Sequence, residues 1–167
     1  MKKLYLLIGF FLTINTLFAQ DEMFKSLFIY NFTKNIEWPD SYKSGSFVIA
    51  VLGNSAIIAE LEKIAKLKKV GDQSISIKEV KEVSEISKCH MLYITPAKSS
   101  QLSSALAKVA SEPVVVITDK EGLAKEGAGL NFVKVDGKQK FEINQSALGK
   151  NGLKVNSFLA SLGIVIN

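Results

Sequence analysis

The chain of 167 residues contains no arginine: all 21 of its basic residues are lysines. Arginine supplies the planar bidentate fork that grips phosphate, carboxylate and guanine edges, so its absence argues against base readout in nucleic acid and against a dedicated arginine phosphate clamp. Cysteine is almost as scarce. Cys89 is alone, which excludes an internal disulfide and leaves the reading of a small buried hydrophobe. The single histidine, His90, is its neighbour, and adjacent residues on a strand point to opposite faces, so the two cannot begin a tetrahedral Cys/His metal site. Neither G-x-x-x-x-G-K-[ST] nor G-x-G-x-x-G is present, and no cofactor is expected. With one histidine, no arginine and no nucleophile motif, catalysis has no visible machinery, and His90 reads as a satisfied residue in or beside the core. Acidic runs such as Glu60/Glu62 and Glu79/Glu82/Glu85 alternate with lysines, the pattern of a solvated face rather than of paired catalytic carboxylates.

What is present begins with export. Met1-Lys2-Lys3, an apolar run from Leu4 to Phe18 and Ala19 have the charged, apolar and small-residue order of a secretory signal peptide, with cleavage expected before Gln20. Leu17 stands where a small residue is usual, so an uncleaved anchor is the competing reading. No Cys follows the run, which argues against a lipid anchor. Removing residues 1–19 takes away Lys2, Lys3 and no acid, lowering the formal net charge from +5 to +3. The remaining residues 20–167 suit one domain with a single core that needs no disulfide. The expected product is a mature periplasmic protein that no longer spans a membrane.

Periodicity divides that domain into alternating strands and helices. Glu22 to Ile36 reads as a helix with an apolar stripe of Phe24, Leu27, Phe28, Phe32 and Ile36, with Ile29 and Tyr30 off the stripe; Trp38 is extended because Pro39 follows it. Phe47–Leu52, Ser74–Val80, Cys89–Thr95 and Pro113–Thr118 read as strands, with helices through Ile57–Ala65 and Ala97–Ala110 between them. This alternation predicts an α/β fold with a mostly parallel central sheet flanked by helices. Asp136-Gly137 then signals a two-residue type I′ hairpin, whose register places Phe132 opposite Phe141, Leu130 opposite Ile143, Val133 opposite Lys140 and Asn131 opposite Glu142. Asn144 is placed to cap a short helix stopped by Asn151-Gly152, and Val155, Phe158, Leu159 and Leu162 describe a terminal helix.

Two kinds of site follow. The loops Gly53-Asn54-Ser55, Thr95-Pro96-Ala97 and Thr118-Asp119-Lys120 fall at the carboxyl ends of the parallel strands, where ligands bind in open α/β sheets. Asn54, Ser55 and Asp119 are therefore candidates to hold a nucleotide or anion, against the simpler reading that they cap and turn. Tyr30 and Trp38 near the first helix, and Phe158 and Leu159 in the last, are candidates for an apolar partner surface.

Taken together, Phe28-Ile29-Tyr30-Asn31-Phe32-Thr33-Lys34-Asn35-Ile36-Glu37-Trp38-Pro39, Val51-Leu52-Gly53, Cys89-His90-Met91-Leu92-Tyr93-Ile94, Gly129-Leu130-Asn131-Phe132, Phe141-Glu142-Ile143-Asn144 and Gly152-Leu153-Lys154-Val155-Asn156-Ser157 resemble, in order and spacing, the YfiR family of exported bacterial proteins. The resemblance implies a non-enzymatic periplasmic regulator that docks on the exported portion of an inner-membrane signalling enzyme, typically a diguanylate cyclase, and restrains it. It also implies self-association, hence a possible homodimer; a sensor kinase is the other partner considered. The chain departs from the family in lacking the cysteine pairs of better-known members, and in carrying Asn156 and Ala160 where serine and a basic residue are common.

Overall fold

The computed structural model describes residues 20–166, so the signal peptide expected over residues 1–19 lies outside the described residues. The described chain starts in helix α1, residues 20–35, and runs directly into β1, Ile36–Glu37. Next come β2 (Phe47–Leu52), α2 (Ile57–Leu67), β3 (Lys69–Val70), β4 (Gln73–Val80), β5 (Met91–Ile94), α3 (Leu102–Lys108) and β6 (Val115–Thr118). The hairpin β7 (Leu130–Val135) and β8 (Lys138–Asn144) precedes α4 (Gln145–Lys150), β9 (Lys154–Val155), α5 (Ser157–Leu162) and β10 (Ile164–Ile166).

Eight strands form one curled, mostly parallel sheet in the order β10-β8-β7-β6-β5-β2-β4-β3. Within this described sheet only the β7–β8 and β3–β4 pairings are antiparallel, and β1 and β9 form a separate antiparallel pair. Strand alternation explains the two cores. Phe47, Ile49 and Val51 of β2, Met91 and Tyr93 of β5 and Ile117 of β6 face one side, with α1, α2, α4 and α5. Ala50 and Leu52, Leu92 and Ile94, and Val116 face the other, with Leu102 and Ala105 of α3. Both faces of the central strands are covered, which is why they read as unbroken apolar runs.

The hairpin register is the expected one at every named pair, and Asp136 and Gly137 both take positive φ, 51° and 72°, as a type I′ turn requires. Asn144 caps α4, its Oδ1 accepting from the Ala147 N–H at 2.8 Å. Elsewhere tertiary structure revises the reading. The predicted helix over Ala97–Ala110 is a 3₁₀ segment from Pro96 to Gln101 that becomes α-helical only at Leu102. Thr95, which could have capped it, instead donates its hydroxyl to Leu52 O at 2.9 Å. Val155 belongs to β9, paired with Ile36 of β1, and α5 starts at Ser157 under an Asn156 cap. The chain then returns to the sheet, where β10 runs parallel to β8. On α1 the buried line is Lys25, Ile29, Phe32 and Thr33, carried on by Ile36 at the start of β1, while Phe24 and Leu27 remain 47% and 46% exposed. No described helix is long and apolar enough to cross a membrane.

Candidate functional site

The sheet places two surfaces that carry chemistry, one at the carboxyl ends of its parallel strands and one along its β10 edge. The first is where β2 and β5 diverge in chain direction of travel, the topological switch point at which α/β sheets open a crevice. Here that crevice is filled. Gly53 has φ +94°, and a Cβ on it would lie 2.5 Å from Thr95 Oγ1 and 2.8 Å from Lys98 Cγ. The Gly53 amide donates to Val80 O at 2.9 Å, and Asn54, exposed, donates its side-chain amide to Glu79 at 3.3 Å.

Beside it lies a buried polar network that joins α1 to three strand ends. Lys25 Nζ donates to Asp119 Oδ2 at 2.5 Å and to Glu22 Oε1 at 2.9 Å. Tyr93, at the end of β5, donates its hydroxyl to the same Asp119 oxygen at 3.2 Å, and Ser55 donates to Glu22 Oε2 at 3.3 Å. Ser55 Oγ also accepts from the Ile57 N–H at 3.3 Å, at the turn that leads into α2. The structure thus brings Ser55 and Asp119 into one network, but through Glu22 and Lys25, with Asn54 outside it. Sequence reasoning missed Lys25, Glu22 and Tyr93. The available signal was Lys25 itself, a charge four residues before Ile29 on the line of α1 that proves to be buried.

The electrostatics follow from this geometry. Burial alone would lower the Lys25 pKa, but its hydrogen bonds to Asp119 and Glu22 outweigh that and hold it above the ordinary lysine value. Burial, reinforced by the Asp119 charge, pushes the Tyr93 phenol well up, so it stays a neutral donor. The cation between the two carboxylates is the protein's own ammonium. Among the described residues no group of three or more His, Cys, Asp or Glu is arranged to hold a metal ion. Further along the rim, Thr118 donates to Asn131 Oδ1 at 2.7 Å and Asn131 to Glu142 at 2.8 Å, so these strand ends also satisfy one another. This arrangement ties elements together and leaves the candidate anion-binding groups engaged.

Cys89 and His90 sit just before β5 and face opposite sides. Cys89 is 1% exposed, and burial pushes its thiol up to about 12, which makes it inert at neutral pH. His90 packs on Phe47 with ring centroids 4.2 Å apart; its Nδ1 accepts from the Val48 N–H at 3.1 Å and its Nε2 donates to Tyr42 O at 2.7 Å. Both ring nitrogens serve backbone, and burial lowers its pKa, so it is a neutral structural histidine.

The second surface is apolar. Phe158 and Leu162 of α5 are 61% and 56% exposed, and Ile164 and Val165 of β10 are 38% and 43% exposed. Within the described sheet β10 is an edge strand, with one side unpaired. Alpha-helix α1 continues the patch. Asn35 O accepts from the Asn156 N–H at 3.0 Å, and Asn156 Nδ2 donates to Asn35 Oδ1 at 2.9 Å, fixing the end of α1 to the start of α5. Leu27, Asn31 and Asn35 repeat at intervals of four, so they lie on one flank. Phe24 stacks obliquely on Phe28 at 5.5 Å, and Phe28 reaches Phe141 of β8 at 5.4 Å. Phe141 in turn lies against Gly163, between α5 and β10, where a Cβ would come within 2.6 Å of its ring.

Of the partner-surface candidates, Phe158 is on this patch. Leu159, one residue away, is 2% exposed and belongs to the core, because helical periodicity turns it inward. Trp38 is 7% exposed and packs edge to face with Phe47 at 5.1 Å, so its surface is already covered. Tyr30 is half-buried on another flank, with its hydroxyl 3.4 Å from Lys69 O and the Lys34 ammonium 4.5 Å above its ring. Met23, Phe24, Leu27, Leu162, Ile164 and Val165, and Leu67 at the end of α2, are exposed apolar residues that sequence reasoning did not assign to a surface. No curated protein matches the chain. A family model described as YfiR/HmsC-like matches residues 22–163, from the first turns of α1 through Gly163, and the chain belongs to that family.

Proposed function

We propose that this chain is a non-enzymatic periplasmic regulator that binds the extracytoplasmic part of an inner-membrane signalling enzyme, of diguanylate cyclase or sensor kinase type, and holds it in its inactive state. Residues 1–19 direct export, and residues 20–167 form the working domain. Family membership supports the regulatory role. The observation that carries the docking surface is the exposure of Phe24, Leu27, Phe158, Leu162, Ile164 and Val165 on α1, α5 and β10, with α1 and α5 joined through Asn35 and Asn156.

The chemistry of restraint is a difference in affinity. A regulator that binds the inactive conformation of its partner better by about 1.4 kcal/mol shifts the partner's equilibrium tenfold, and a few hot-spot side chains supply that amount. Phe158 is the natural anchor because it is aromatic, the most exposed of the group and flanked by Leu162 one turn on. The open edge of β10 offers backbone donors and acceptors to the same partner or to a second copy, so dimer formation and partner capture compete for one surface.

The test uses a photo-crosslinking residue at position 158 in cells. The expected adduct is a membrane protein carrying a cyclase or kinase domain, lost when Leu162→Asp is added, with cellular output of that enzyme rising. A variant that is folded by circular dichroism, carries Phe158→Asp and Leu162→Asp, and still restrains the enzyme would refute the surface. Adducts only to the chain itself would assign the patch to dimerisation alone.

A further inference from the structure

The sheet has a second open edge, at the opposite end from β10. Strand β3 pairs only with Gln73 and Ser74 of β4, so the rest of β4 has β2 on one side and no described strand on the other. The Gly53 N–H donates to Val80 O, which turns the backbone groups of Val80 toward β2. Successive residues of a strand present their backbone groups to alternate sides, so Ser76 and Lys78 also face β2, while the N–H and C=O groups of Ile75, Ile77 and Glu79 point outward in an unpaired row. Edges of this kind are ordinarily interrupted by proline or a bulge, or covered. Here β4 contains no proline, and its pairing with β2 runs unbroken from the Phe47/Ile75 pair to the Leu52/Val80 pair. Beside the row an open groove of about 440 Å³ is lined by Ile75 and Ile77 and by Glu62, Ala65 and Lys66 of α2. These are the parts of a strand-addition site, with backbone groups to pair and an apolar recess for alternate side chains.

Charge selects among the strands that could add. Lys66, Lys68, Lys69, Lys78 and Lys81 lie exposed on or beside this edge, and none of them forms an ion pair among the described residues. Glu62, Asp72 and Glu79 offset them only in part, and Glu79 already accepts from Asn54. A second copy would set these lysines against their own kind, and like charges opposite each other across strands destabilise the pairing. We propose that the outer edge of β4 binds an extended, acidic segment of a partner protein as an added strand, its backbone pairing with Ile75, Ile77 and Glu79 and its alternate apolar side chains entering the groove at Ile75 and Ile77. The surface lies at the other end of the sheet from β10, so it does not rest on the docking reading given above and is measured apart from it.

Amide exchange in the ¹⁵N-labelled protein tests the edge residue by residue. In the free protein the amides of Ile75, Ile77 and Glu79 should exchange faster than those of Ser76, Lys78 and Val80, which are bonded to β2. The probe is a short capped peptide of alternating valine and glutamate. Its titration should shift the three outward amides in a saturable manner and slow their exchange. The same peptide with lysine in place of glutamate should bind about tenfold more weakly, and Lys66→Glu/Lys78→Glu, two exposed changes, should reverse that preference. Of two further peptides, N-methylated at the valines or at the glutamates, the one methylated on the row that meets β4 should lose binding and the other keep it. Ile77→Pro removes a donor that faces solvent, a position where an edge strand accepts proline, and should abolish the response. Outward amides unmoved by the peptide, equal affinity for the lysine peptide, or both N-methylated forms binding like the parent would each overturn the proposal. So would slow exchange at Ile75, Ile77 and Glu79 in the free protein that is lost on dilution, which would assign the edge to a second copy.

Discussion

Replacing Lys25 with methionine isolates the energetics of the network that fastens α1 to the sheet. Methionine keeps the unbranched stem and removes the ammonium. The side chains involved are largely dry: relative exposure is 9% for Lys25, 19% for Glu22 and 16% for Asp119. Removing one partner of a buried ion pair strands the other charge and costs about 3–5 kcal/mol. Two features reduce that figure here. Both carboxylates retain some water, and each keeps a hydroxyl donor, Tyr93 for Asp119 and Ser55 for Glu22. The expected loss is therefore about 2–3 kcal/mol, or a fall in Tm of about 4–12 °C for a domain of this size.

Urea unfolding followed by circular dichroism measures it, and a double-mutant cycle shows its origin. Asp119→Leu alone should also destabilise, because it leaves Lys25 with Glu22 as its one carboxylate partner and takes the acceptor from Tyr93. Lys25→Met combined with Asp119→Leu should cost less than the two single losses together, with a coupling of about 1–3 kcal/mol. Lys43→Met, which removes an ammonium paired with Asp40 in full solvent, is the control and should leave the midpoint unmoved. The pH dependence has a definite sign. Lys25 has its folded pKa raised, so its contribution is complete below the unfolded value of about 10.4 and is lost as pH rises through the folded value. The gap between wild type and Lys25→Met is then flat from neutral pH to about 10 and closes above it. Singles that add, or a Lys25→Met loss no larger than the 0–1 kcal/mol typical of exposed pairs, would refute the reasoning.

Trp38→Ala should unfold the protein more readily by about 3–5 kcal/mol, measured in urea, because the indole is core rather than contact surface. His90 should make the fold acid-sensitive: its folded pKa is lowered, so its stability contribution is present above about pH 6.5 and disappears as pH falls through the folded value, and His90→Asn should flatten that limb of a stability profile. Gly53→Ala combines a φ of +94° with a Cβ 2.5 Å from Thr95 Oγ1, and should lower the urea midpoint, with Thr95→Ala, which removes that oxygen, making the further loss on adding Gly53→Ala smaller than in the wild-type background.

The difference between the two apolar lines of α1 bears on function as well as stability. Phe24, Phe28, Phe32 and Ile36 recur every four residues, and so do Lys25, Ile29 and Thr33 with Phe32 and Ile36 alongside. A helix with apolar residues on both lines can pack either against the sheet. The structure chooses the line that carries Lys25, because only that choice brings the ammonium to Asp119, and it leaves Phe24 and Leu27 outside to join α5 and β10. One ion pair thereby helps decide which hydrophobic residues face solvent.

The strand–helix alternation, the parallel centre of the sheet, the Asp136-Gly137 hairpin with its pairing, and the cap of α4 were all legible in the chain, because each rests on interactions within a few residues or on a period of two or near four. Family resemblance was legible for the same reason, since it is a matter of order and spacing. Tertiary structure alone decided the rest. Two-residue strands such as β1 and β9 carry no periodicity, and β10 forms only because Gly163 lets the chain lie against Phe141 and Ile143. Whether Trp38, Leu159 or Phe158 meets solvent, and whether Asp119 faces a ligand or a lysine 94 residues away, depends on which elements the fold packs together, and that is a property of distance in space that no local pattern encodes.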